Sequence, residues 1–326
     1  MKKAARFLSL LIILLVSDLT VYCWGFYAHQ KINYYAVFLL PPEMMVLFKP
    51  NSTFLSEHAI DPDKRRYAVP DEGPRHYIDI DHYGEYPYTS LPRKWTDAVE
   101  KFGEDSLKQF GIVPWHVQTM LHRLTDAFKA KNFSLIMKYA AEMGHYIADA
   151  HVPLHASSNH NGQLTNQKGI HGFWESRVPE LLAEKEFDFF IGKAEYIQNP
   201  GDFIWKRVLE SAKAADSVLS YERELTLKFP DDQKYSFEER NGKTIRQYSS
   251  AFTIAYNKKL DGMIERRMRQ SIYGIASFWY TAWVNAGQPD LKQLVTQKFS
   301  EADIKEFENL NKQWNSGGKM IGREEQ

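Results

Sequence analysis

Cysteine is almost absent from this chain of 326 residues, with Cys23 the only one. That excludes a fold stapled by several disulfides. An excess of one charge is also lacking, since acidic and basic residues balance at 41 each. A neutral chain gives no electrostatic case for tight nonspecific nucleic-acid binding, though a locally basic cleft remains compatible with it. There is no internal repeat and no low-complexity segment. Strand-like alternation is scarce, and His76-Tyr77-Ile78-Asp79-Ile80-Asp81 is the best short candidate. One long apolar run exists, Phe7 to Val16, preceded by Lys2, Lys3 and Arg6. At about ten residues it falls short of the roughly 20 that a helix needs to span a bilayer. It reads instead as the apolar core of a secretory signal.

Val21 and Cys23, three and one residues before the cut, place cleavage between Cys23 and Trp24. A retained anchor, or a lipoprotein signal with Cys23 kept and lipidated, is the alternative. Cleavage would deliver a cysteine-free protein, secreted or periplasmic, beginning at Trp24 and held by core packing and metal. The organisation expected is a signal peptide over 1–23, one domain over 24–313 and a polar, Gly-rich disordered tail over 314–326. Hydrophobic content of 44% suffices for a large core. Helical periodicity runs over Phe26 to Leu40, Trp115 to Phe128, Leu135 to Asp149, Phe173 to Glu184, Pro200 to Tyr221 and Ile245 to Ala286, the last long enough to require a break. Loops are expected at Asp61 to Pro74, Gly84 to Pro92 and Ser157 to Gly169. The fold class is all-α, a single compact multi-helix domain.

What the chain does have is a histidine-rich stretch. His145 and Asp149 stand four apart in Gly144-His145-Tyr146-Ile147-Ala148-Asp149, and so do His171 and Glu175 in His171-Gly172-Phe173-Trp174-Glu175. On a helix that spacing puts both side chains on one face. Imidazole with carboxylate suits a borderline divalent cation such as zinc. Two such pairs flanking Pro153-Leu154-His155 point to more than one ion. Further candidates are His29, Asp61 in His58-Ala59-Ile60-Asp61-Pro62-Asp63, and His76. Against this, a lone histidine on an apolar face is usually a hydrogen-bonded core residue, and Asp61 before Pro62 could simply start a turn. His151, two residues past Asp149, should point away from the ligand face. Asp63 and Asp79 are expected to orient ligands rather than bind metal.

Taken together, these residues resemble the zinc-dependent phospholipase C and S1/P1 nuclease superfamily, as a bacterial secreted member. The resemblance runs from Trp24 to Glu175 and, loosely, through Phe278-Trp279-Tyr280-Thr281-Ala282-Trp283. It implies an all-helical secreted hydrolase of phosphoric esters with three zinc ions. Asp61, His76, His145 and Asp149 would hold one ion. Asp149, His29 and the free backbone amine and carbonyl of Trp24 would hold the second. His155, His171 and Glu175 would hold the third. Asp61 would also be the catalytic group, as general base or as the residue orienting the attacking water. Two adjacent zinc ions would lower the pKa of a water between them.

Departures from the family blur the substrate. The loop His155-Ala156-Ser157-Ser158-Asn159-His160-Asn161-Gly162 lacks the Gly-Gly-Asn of the nuclease branch. The short interval from His155 to His171, the glutamate at 175 and the absence of cysteine from the mature chain resemble phospholipase C. The spacing from Trp24 to His29 and the run His76-Tyr77-Ile78-Asp79 resemble nucleases. The expected substrate is a phosphodiester, either a phospholipid headgroup reached by transient contact with a membrane surface or, alternatively, single-stranded nucleic acid. No stable protein partner is implied. A non-enzymatic zinc-binding surface protein is the third reading, disfavoured because every ligand is in place.

Overall fold

The computed structural model describes residues 25–240, 242–321 and 323. Residues 1–24, which include the expected signal segment and Trp24, lie outside the described residues. The fold is all-α. In chain order the helices are α1 (Phe26–Ala36), α2 (Pro42–Phe48), α3 (Ser52–Glu57), α4 (Asp61–Arg65), α5 (Trp95–Phe102), α6 (Glu104–Phe110), α7 (Val113–Lys129) and α8 (Phe133–Asp149). They continue with a single turn α9 (Ile170–Gly172), α10 (Val178–Glu186), α11 (Pro200–Thr226), α12 (Ser250–Lys259), α13 (Met263–Asn285) and α14 (Glu301–Asn315). One antiparallel hairpin interrupts them, β1 (Tyr235–Arg240) with β2 (Lys243–Tyr248), in register Tyr235 with Tyr248.

The core is organised around α8. Asn132 caps its start, the side chain accepting from the Leu135 amide at 3.1 Å, and from Ala140 to Asp149 every residue is buried. A helix end buried on all faces must be surrounded, and α1, α7 and α13 pack around it. Pro114 stands in the first turn of α7, where amides lack partners in the helix and a proline is tolerated. Trp279 on α13 donates its indole N–H to the Ala140 carbonyl at 2.9 Å. Ala28, Ile32 and Ala36 form the inward stripe of α1. Each fully buried Ile or Leu in such a stripe contributes roughly 1.5–3 kcal/mol.

Beside that stripe Asn33 ties three helices together. Its amide donates to Leu55 O on α3 and Ala141 O on α8, both at 3.0 Å. Gly144 makes this approach possible, because a β-carbon there would meet Asn33 Oδ1 at 2.0 Å. The close contact sets α1 beside the C-terminal half of α8, so that the His29 and His145 rings stack at 3.9 Å.

Several expectations change. The stretch His76 to Asp81 is not a strand. Its backbone amides go to His155 O (from Ile78, 2.9 Å) and Phe110 O (from Asp79, 2.7 Å), and it closes in a 3-10 turn over Ile80–Tyr83. Asp61 to Pro74 does not begin as a loop, since α4 occupies Asp61–Arg65. Ile245 to Tyr248 belongs to β2, and the break in the following helical region falls at Leu260–Gly262, where Gly262 sits at φ 69°. Helix α11 runs five residues beyond Tyr221, to Thr226.

Candidate metal centre

Two neighbouring groups of buried histidines and carboxylates could hold metal ions. The larger comprises His29, Asp63, His76, His145 and Asp149, and the smaller His155, His171 and Glu175.

The smaller group is built locally. Pro153 opens a 3-10 turn over Pro153–Ala156 just beyond α8, and Ser211 on α11 steadies that corner by donating to Ala150 O at 2.8 Å. His155 donates from Nδ1 to His76 O (2.6 Å), and His171 from Nδ1 to His160 O (3.0 Å). These bonds assign the tautomers, leaving an Nε2 lone pair on each neutral ring. The two lone pairs face each other at 3.2 Å. Glu175 closes the triangle, with oxygens 3.1 Å from His171 Nε2 and 3.5 Å from His155 Nε2. Glu175 stands on a π-helical turn, Phe173–Arg177. The hairpin backs that turn: Phe173 stacks on Tyr248 at 3.8 Å, and Arg177 pairs with Glu238 at 2.6 Å.

Facing lone pairs repel unless a cation lies between them. A proton is disfavoured, because burial holds His155 below its usual pKa and pushes His171 down to about 3, with the Arg323 charge adding to the effect. A metal ion fits. Ligand atoms about 2.0–2.1 Å from a tetrahedral zinc lie about 3.3 Å from one another, the scale of all three separations here.

The larger group is assembled from four segments. His145 donates from Nδ1 to Ala59 O at 2.8 Å, which turns its Nε2 inward. That nitrogen lies 3.0 Å from His76 Nδ1 and 3.2 Å from Asp149 Oδ2, and His76 Nδ1 lies 3.0 Å from the same oxygen. The other Asp149 oxygen faces His29 Nε2 at 3.4 Å. Asp149 thus offers one oxygen to His29 and the other to His76 and His145. Burial, reinforced by His145, pushes His29 down to about 4. Burial also acts to lower His145, but Asp149 and Asp63 outweigh it and bring the ring up to about 9. The same two carboxylates would attract a divalent cation, which His145 could ligate once its Nε2 proton has left.

The carboxylate completing this group is Asp63, not Asp61. Positions two apart on a helix differ by about 200° in direction, so only one of the pair on α4 can face the cluster. Asp63 does, with Oδ1 3.7 Å from His76 Nδ1 and 3.6 Å from His145 Nε2. Among the described residues neither Asp63 oxygen has a hydrogen-bond donor, although both are buried. Asp61 turns instead to His58 Nδ1 (2.6 Å) and Lys64 Nζ (3.0 Å). Burial raises its pKa, but those two partners outweigh this and hold the carboxyl below its usual range. A carboxylate already engaged by an imidazole and an ammonium is poorly placed to bind metal or accept a proton.

Glu72, overlooked in the sequence, supports His76 from behind. It is four residues upstream, the same spacing that marked the other pairs. Its Oε1 lies 3.5 Å from His76 Nε2 and accepts from the Tyr146 hydroxyl. Its Oε2 accepts from Arg65 (3.1 Å) and Arg75 (2.7 Å). A carboxylate behind Nε2 leaves the Nδ1 lone pair of His76 for the cluster. His151 points away, donating to Ile147 O at 2.7 Å. Asp79 does not orient a ligand; it pairs with Arg323. His29, His76, His145, Asp149, His155, His171 and Glu175 are all brought together, and Trp24 lies outside the described residues.

No protein-family model matches the chain, and no curated protein matches it.

Proposed function

We propose that the protein is a secreted trinuclear zinc hydrolase of phosphodiesters, of the phospholipase C/P1 nuclease type, with phospholipid headgroups as the first-choice substrate. The observation that carries this reading is the convergence of eight buried metal-binding side chains in two adjoining groups with ligand-like separations. His155 joins them, bonding through Nδ1 to the carbonyl of His76. Imidazole with carboxylate, and no thiolate, suits zinc, and the count of three follows from the two faces of Asp149 plus the separate Glu175 group.

Bound ions would supply an acidified water and positive charge against the phosphoryl oxygens. The chain's own part is to hold that arrangement and move a proton. We assign to Asp63 the role first expected of Asp61. Its buried oxygens, without donors among the described residues, can bind the cation with one and accept a proton from the attacking water with the other. Glu72 keeps His76 oriented, and the Ala59, His76 and His160 carbonyls do the same for His145, His155 and His171.

A second reading, single-strand nuclease or 3′-nucleotidase, is favoured by one feature. Tyr77 and Asp79 together present a ring face and a carboxylate to a planar group bearing N–H donors, a combination that suits a nucleobase.

The test is protein processed to begin at Trp24, loaded with zinc and assayed side by side on phosphatidylcholine, an aryl phosphodiester and single-stranded DNA. Headgroup release supports the first reading and 5′-mononucleotides the second; turnover of none of the three contradicts both. A Met or tag left before Trp24 is expected to cost one zinc and most of the activity.

A further inference from the structure

The chain beyond α14 contacts the residues that neighbour the metal ligands. Helix α14 itself is anchored firmly. Ser300 and Asp303 form a capping box at its start, Asp303 accepts from Ser134 at 2.8 Å, and Glu306 pairs with Lys138. Phe307 packs on His58 with ring centres 4.5 Å apart. From Trp314, whose ring lies 5.4 Å from Phe26, the chain turns toward the cluster. Arg66 then receives it at two points: the Ile321 amide donates to Arg66 O at 2.8 Å, and the Arg66 guanidinium donates to Arg323 O at 2.8 Å.

Arg323 ends this path with its side chain only 8% exposed. Its guanidinium lies over the Tyr77 ring at 4.0 Å, pairs with Asp79, and donates to Leu154 O at 3.2 Å. Tyr77 follows His76 directly and Leu154 precedes His155, so the guanidinium sits between a ligand-bearing segment of each metal group. A ring face, a carboxylate and a carbonyl turned toward one spot would hold any planar group bearing N–H donors. Here a residue of the same chain fills that spot.

We propose that the segment after α14 is a built-in occupant of the substrate cleft, held by Arg323 and displaced when substrate binds. The part of this inference that concerns catalysis rests on the hydrolase reading above; the docking itself does not. The strap is suited to release. Its attachments include one backbone bond to Arg66 and one from the Arg66 guanidinium, one ion pair, one ring contact and a carbonyl bond, whereas α14 is fixed independently and can stay in place. A competitor tethered in this way raises the apparent KM by the inverse of the fraction of time that the cleft is open, and leaves kcat unchanged.

The experiment uses the full chain, processed at Trp24 and zinc-loaded, as wild type, Arg323→Ala and Arg323→Lys. With single-stranded DNA and with an aryl phosphodiester, Arg323→Ala is expected to lower KM about tenfold at constant kcat, as for a tail that closes the cleft about nine-tenths of the time. Arg323→Lys should fall between, because it keeps the charge and loses the planar fork. An Arg323→Ala variant with raised KM or reduced kcat overturns the proposal, since it would make Arg323 an aid to substrate binding. A second readout needs no turnover: a fluorescent peptide of residues 316–326 should bind Arg323→Ala protein, by anisotropy, more tightly than wild type. That binding should vanish in Arg323→Ala/Asp79→Asn. Peptide binding without hydrolysis of any phosphodiester would refute the hydrolase reading and keep the docking; no binding of the peptide at millimolar concentration overturns the docking.

Discussion

The two candidate metal groups sit side by side but are put together in opposite ways. The group of His155, His171 and Glu175 comes from two short segments, one of them supplying an i,i+4 pair within one helical stretch. The group of His29, Asp63, His76, His145 and Asp149 takes residues from α1, α4, the turn before Ile78 and α8. The first depends on local geometry, supported by a hairpin packed behind its π turn. The second depends on helix packing, above all on the contact of Asn33 with Gly144 that brings α1 against α8. Asp149 is the hinge of the comparison, because its two oxygens contact three imidazoles. The larger group should therefore respond to changes in packing and to the loss of one shared carboxylate, and the smaller only to loss of its own ligands.

The largest effect should come from Asp149→Asn. Removing the shared charge is expected to empty both positions of the larger group and cut turnover by about a thousandfold or more. Metal analysis should then find the smaller group still loaded. Next comes the paired test on α4. Asp63→Asn should slow turnover by about 10²–10³-fold, while Asp61→Asn should cost only a few-fold, through His58 and Lys64. Equal losses in the two variants would show that α4 does not discriminate them. Glu175→Gln should remove one ion and reduce kcat by about 10²-fold, with the larger group intact by metal count.

A smaller effect separates packing from ligation. Gly144→Ala, with its β-carbon 2.0 Å from Asn33 Oδ1, should destabilise the protein by about 1–3 kcal/mol in thermal or urea unfolding. It should weaken metal binding at the larger group more than at the smaller.

Protonation offers the mildest perturbation. Burial pushes both His116 and His151 down to about 3, with nearby arginines adding to the effect and, for His151, the Ile147 carbonyl opposing it. Both rings are neutral in the folded protein at pH values where the unfolded chain, with pKa near 6.5, takes up protons. Stability is therefore fully present above about pH 6.5 and falls as pH drops toward 3, by up to about 1.4 kcal/mol per pH unit for each ring. Urea unfolding of chelator-treated protein between pH 7 and 4 reads the combined slope of these two rings and of His29 and His171, which burial also holds low; a flat profile would contradict the burial argument.

The local half of the centre was legible in the sequence and the assembled half only partly. His171 with Glu175 and His145 with Asp149 could be paired because a helix fixes the relation between positions four apart. The choice between Asp61 and Asp63 could not be made, because it depends on which way α4 faces once packed, and Asp-Pro-Asp carries no mark of that. Glu72 could have been found, standing four residues before His76, but it was hidden in a stretch expected to be loop. The hairpin also had a signal, the Asn-Gly pair at 241–242 between alternating residues, which the helical period of the residues that follow obscured. Nothing in a polar, Gly-rich tail announces that Arg323 ends over Tyr77; that follows from where Tyr77, Asp79 and Leu154 meet in three dimensions.

The central claim is that two adjoining groups hold three ions, two of them joined by Asp149. Inductively coupled plasma mass spectrometry of protein processed at Trp24 tests it most directly, with wild type and Asp149→Asn measured together. The account predicts about three zinc ions per chain in the wild type and about one in the variant; one ion or none in the wild type, or an unchanged count in Asp149→Asn, would contradict it.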